Sequence, residues 1–160
     1  MRDLNLVEYR HPDAGFTLAL PVGWELRENP QPNVSLIVFE PETSDGFRAN
    51  AVVTVEELPE ELDLESWQHS SDELLEHAFG EYILIDREHI EVDGQSVVRR
   101  LAHHAGEDTG SVTMEQWATV DGDKGYTFTT SVSTMAYDSH ADLFSEMAQQ
   151  FRVDDSSEVA

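Results

Sequence analysis

The side chains able to hold metals or move protons are dispersed along this chain. Its seven histidines are the first candidates for ligands. His103 and His104 are adjacent in an alternating segment, so they point to opposite sides of a strand and cannot chelate one ion together. His69 and His77 are too far apart for the i, i+4 pair of a helical zinc motif. Asp121-Gly122-Asp123-Lys124-Gly125 opens like a calcium loop. Its fifth position is glycine, however, and Val132 stands where the bidentate carboxylate is required. Glu56-Glu57 and Glu60-Glu61 flank Pro59 as paired carboxylates, but nothing in the sequence desolvates one relative to the other, as an acid–base pair needs. Asp138-Ser139-His140 are contiguous and cannot form a relay; a helix start accounts for them. No Gly-x-Ser-x-Gly elbow, Walker pattern or dinucleotide fingerprint is present. The expectation is a protein that is not an enzyme, with no cofactor and no metal.

Charge narrows the partners. The formal net charge is −24, from 33 acidic and 9 basic residues. Lys124 is the only lysine. Such a field repels phosphate backbones and anionic headgroups, which argues against nucleic acid and membrane surfaces. There is no cysteine, hence no disulfide framework and no thiolate site. Met1 to Glu8 lacks the apolar run of a signal peptide, and no stretch reaches the length of a membrane span. A cytoplasmic location is expected.

Short polar segments (His11–Gly15, Thr43–Gly46, Asp93-Gly94, Glu107–Gly110 and Asp121–Gly125) punctuate the chain as turns. Between them the alternation predicts strands over Leu4–Arg10, Phe16–Leu20, Val34–Glu40, Phe47–Glu56, Tyr82–Val92, Ser96–His104, Ser111–Val120 and Tyr126–Met135. Leu64, Trp67, Leu74, Leu75 and Ala78 share a helical face after an Asp63 cap, with Ser70-Ser71 interrupting it as a point where the helix would break or restart. Leu143, Phe144, Met147, Ala148 and Phe151 share another, which Ser139 and Asp142 would start as a capping box. The reading is a single α+β domain over 1–153: one antiparallel sheet of six to eight strands with two helices packed on one face. A frayed acidic tail over 154–160 follows it.

Gly15-Phe16-Thr17-Leu18-Ala19-Leu20-Pro21-Val22-Gly23-Trp24 and Phe47-Arg48-Ala49-Asn50-Ala51-Val52-Val53-Thr54-Val55 open a pattern that runs from about Phe16 to Val153. It continues through Val92-Asp93-Gly94-Gln95, Arg99-Arg100, Gln116-Trp117 and Tyr126-Thr127-Phe128-Thr129. In order and spacing it resembles the PsbP-like fold, in the LpqN-type branch common in actinobacteria. That resemblance implies an adaptor: such proteins include photosystem assembly factors, a Ran-binding factor and chaperones of type VI secretion effectors that use a dimeric sheet. It transfers no functional residue. The absence of a lipobox cysteine departs from the secreted lipoproteins of that branch.

The expected function is non-catalytic protein binding, as an adaptor or a chaperone-like factor for a protein client, with a homodimer as one arrangement. The alternative is a small-ligand or lipid carrier with a cleft between sheet and helices. Val112, Met114, Ala118 and Val120 claim one strand face, so Trp117 points to the other. Val52 and Val98 likewise fall opposite their strands' main apolar sets. Trp117, Val52 and Val98 are therefore expected on a sheet face turned away from both helices, as a partner-binding surface. Arg48 and Asn50 are candidates beside them, because a guanidinium grips a carboxylate bidentately. Local pairing of Arg48 with one of the many acidic side chains is the competing account.

Overall fold

The computed structural model describes residues 5–41, 47–106 and 110–154. Ten strands and two helices follow one another: β1 (Leu6–Arg10), β2 (Phe16–Pro21), β3 (Glu25–Gln31), β4 (Val34–Phe39), β5 (Asn50–Glu57), α1 (Leu64–Ala78), β6 (Gly80–Val92), β7 (Gln95–Gly106), β8 (Gly110–Asp121), β9 (Lys124–Ser133), α2 (Tyr137–Gln149) and β10 (Arg152–Val153). A 3-10 turn, Thr134–Ala136, leads into α2. The main sheet has seven antiparallel strands in the order β3-β4-β5-β9-β8-β7-β6. β1, β2 and β10 make a separate antiparallel sheet of three.

The fold class is the one expected, α+β with a large antiparallel sheet. The arrangement around it differs in two respects: a small second sheet is present, and the helices cover opposite faces. Strand alternation settles the latter. Ala118 lies under Trp67 of α1, whereas its neighbour Trp117 joins the core containing Phe144, Met147 and Ala148 of α2. The β2 residues Phe16, Leu18 and Leu20 complete that second layer against Leu36, Val53 and Phe128 of the main sheet. The cause is visible in the strands themselves. β8 has Val112, Met114, Ala118 and Val120 on one side and the single large ring of Trp117, among Thr113, Glu115 and Thr119, on the other, and both sides are largely buried.

Local rules explain most boundaries. Asp63 caps α1, its carboxylate accepting from the Ser66 N–H at 2.8 Å. The β6–β7 hairpin turns on Asp93 and Gly94 at φ 53° and 82°, the mirror-image turn that suits twisted strands. α2 begins at Tyr137, before the expected capping box; Ser139 Oγ instead donates to the Ala136 carbonyl. β3 was not foreseen because Glu25–Gln31 is exposed throughout and carries Pro30, so no apolar alternation marks it. Asp154, expected to fray, is held: its N–H donates to Gly15 O at 2.7 Å and its carboxylate pairs with Arg10 at 3.2 Å. The rest of the expected tail lies outside the described residues, as does the Thr43–Gly46 turn. Among the described residues no helix is long and apolar enough to cross a membrane.

Candidate functional site

α2 covers the β9 side of its face and stops short of the β6 edge. Between them lies a cleft of about 810 Å³, with β6 as one wall and Ala141, Asp142, Ser145, Ala148 and Gln149 of α2 as the other. The hairpin pairing sets Glu88 opposite Arg99 and Arg99 opposite Trp117, with Glu115 diagonal to Arg99, across β6, β7 and β8 at its base. Trp117 and Ile90 supply apolar surface beside them.

A charged network holds the base together. Arg99 Nε donates to Glu115 Oε2 at 2.7 Å, and the Arg99 terminal nitrogens reach Glu115 at 2.5 Å, Glu88 at 3.1 Å and Asp86 at 3.2 Å. The Glu115 side chain is 5 % exposed, and its second oxygen accepts from the Tyr137 hydroxyl at 3.0 Å. Its carboxylate is thus met by donors at both oxygens. Burial, the Glu115 charge and the hydrogen bond push the Tyr137 hydroxyl up to about 12. For Arg99, burial works against the charge, but Glu115 and Glu88 outweigh it and hold the guanidinium above its ordinary value. The arrangement is a fixed ion-pair network. At the far end Arg152 donates to Asp93 at 2.9 Å. Glu91 and Asp142 stand exposed on the two walls.

The residues expected to form one surface are divided between the two faces. Trp117 is 7 % exposed, in the core under α2, with its ring 5.6 Å from that of Phe128. Trp117 does point away from Ala118, but that face is covered by α2, and Val52 and Val98 lie on the other one. Trp117 still reaches the cleft. Val98 is fully buried on the α1 side. Val52, Arg48 and Asn50 share that side at the β4–β5 end, each half-buried. Arg48 is engaged within the chain: it lies 5.3 Å over the Phe39 ring, donates to Glu40 O at 2.9 Å and pairs with Glu25 at 3.3 Å. Glu115 and Tyr137 were missed because a lone glutamate in a Thr-Met-Glu-Gln strand looks like a solvated position. Only the crossing of α2 buries it.

No family model matches the chain, and no curated protein matches it. Solved structures do. The cyanobacterial PsbP protein (CyanoP) of Synechocystis sp. PCC 6803 superposes with a TM-score of 0.71 at 19% identity, over 95% of this chain and 94% of that one. LpqN of Mycobacterium tuberculosis, described as involved in cell envelope biogenesis, gives 0.72 at 14% identity over 94% and 91%. The Saccharomyces cerevisiae Ran-binding protein Mog1p gives 0.64 at 19% identity over 97% and 98%. The chain has a PsbP-like fold, with LpqN and the Ran-binding protein among its structural relatives.

Proposed function

We propose that this chain is a non-catalytic binding domain, an adaptor that holds a segment of a protein partner in the cleft between α2 and β6–β8. The observation that carries this reading is the state of Glu115. It is the most buried carboxylate of the cleft, and donors from Arg99 and Tyr137 engage both of its oxygens, so it is committed to the chain's own ion-pair network. The network makes a rigid floor instead. Its surroundings favour a partner with basic residues: Glu88, Glu91, Asp93, Glu115 and Asp142 face only Arg99 and Arg152. The same carboxylates weigh against the lipid-carrier alternative, since an acyl chain needs a closed apolar cavity. One structural relative is a Ran-binding protein, which agrees with a protein partner. A chaperone-like role toward a client in the cytoplasm is the finer form of this proposal. Capture from a lysate of the source organism tests it: an interactor retained by the wild type is lost when Asp142→Arg reverses the charge of the α2 wall. Turnover of any substrate that disappears in Glu115→Gln overturns the non-catalytic reading.

A further inference from the structure

The two edges of the main sheet are built differently. β3, at one end, carries Pro30 and a register break between Glu28 and Gln31, and its only large apolar side chain is Leu26. Pro30 has no N–H to donate to a ladder, which discourages another strand from pairing there. β6, at the other end, has no proline, and among the described residues no strand pairs with its outer side. From Asp86 to Val92 it is regular and studded with charged side chains. Just before that run, Ile83, Leu84 and Ile85 are 58%, 43% and 50% exposed. Register breaks at Gly80/Ile83 and Leu84/Asp86 disturb the alternation, which is how three consecutive apolar residues all reach solvent.

We infer that the Ile83–Ile85 length of β6 is a docking edge for an extended segment of another protein, one that alternates apolar and basic residues. Unpaired backbone groups of β6 would supply ladder hydrogen bonds, and the three apolar side chains would give the incoming strand a surface to pack on. Charge chooses the occupant. β6 bears Glu81, Asp86, Glu88 and Glu91 against Arg87 and His89; Arg99 of β7 pairs with Asp86 and Glu88, which leaves Glu81 and Glu91 without a cationic partner among the described residues. Two copies of this edge would bring like charges into register, on molecules that each carry −24. A strand bearing lysine or arginine removes that repulsion. This surface is distinct from the α2 wall of the cleft.

The test uses the intact chain and a short synthetic peptide alternating valine and lysine, followed by fluorescence anisotropy and by amide exchange of residues 82–86. The lysine peptide should bind and slow exchange at those amides. A glutamate-for-lysine peptide, or one with a central proline, should bind at least about tenfold more weakly. Leu84→Lys lies at an exposed position and should keep the circular dichroism of the wild type while losing the peptide. Asp142→Arg should retain it, which separates this site from the cleft. Equal binding of all three peptides, or peptide affinity unchanged in Leu84→Lys, overturns the proposal. So does affinity lost in Asp142→Arg without protection of residues 82–86. A concentration-dependent dimer abolished by Leu84→Lys would give the edge to a second copy and overturn it equally.

Discussion

Trp117 and Tyr137 show how one residue's environment decides its role. Trp117 packs beneath α2 against Phe128, so truncation removes both buried surface and the contacts around it. Trp117→Ala is expected to cost about 3–5 kcal/mol. Denaturant unfolding checks this; a midpoint close to wild type would mean that Trp117 contributes little to the core. Tyr137 predicts a pH effect. Its hydroxyl titrates at about 12 when folded against about 10 unfolded, so the folded state keeps a proton that the unfolded chain has released. The contribution is complete below pH 10 and is lost as the pH rises through about 12. Tyr137→Phe should therefore show a shallower fall of melting temperature over this window than the wild type. Parallel slopes would show that the Glu115 bond does not hold that proton.

At the level of elements, α1 depends on one close approach. The Trp67 ring lies directly on the Gly125 backbone, where a Cβ would come within 2.5 Å of it, and the indole N–H donates to Glu56 at 2.8 Å. Gly125 is needed for proximity, since nothing in its backbone angle requires glycine. Gly125→Ala should displace the ring and cost about 1–3 kcal/mol, lowering the melting temperature by about 2–4 °C per kcal/mol. An unchanged melt would mean that α1 shifts freely over β8–β9. The buried Arg100 pins the same helix, donating to Asp72 Oδ1 at 3.0 Å and to Gln68 Oε1 at 3.0 Å. On the other side His11 ties the β1–β2 turn to β4. Its Nδ1 accepts from the Asp13 and Ala14 N–H groups, which leaves Nε2 to donate to Ser35 O at 2.9 Å. Strands and helices were largely readable because apolar and polar residues recur along them with the period of each element. β3 and β10 were not, as one is fully exposed and the other is two residues long.

Across the whole molecule the excess of acid dominates. Arg10, Arg48, Arg87, Arg99, Arg100 and Arg152 already sit in ion pairs, and most carboxylates among the described residues lack a cationic partner. Their mutual repulsion is long-ranged in dilute buffer and falls away once the screening length shortens to a few ångströms. Thermal melts in rising sodium chloride should show increasing stability. Identical melts in dilute buffer and concentrated salt would remove repulsion from the account.

Composition and periodicity alone determined the strand-rich α+β class, the helix positions, the cap at Asp63 and the acidic surface. They also established that Trp117 and Ala118 face opposite ways, which follows from the two-residue period of a strand. What that period cannot say is what lies over each face. α1 and α2 went to opposite sides, α1 over Ala118 and α2 over Trp117 on an otherwise polar face, and only the packed chain reveals that choice. The same packing buried Glu115 between Arg99 and Tyr137, turned Trp117 from a surface anchor into core, and left Ile83–Ile85 exposed. Burial is a property of distant segments brought together, so no local pattern encodes it.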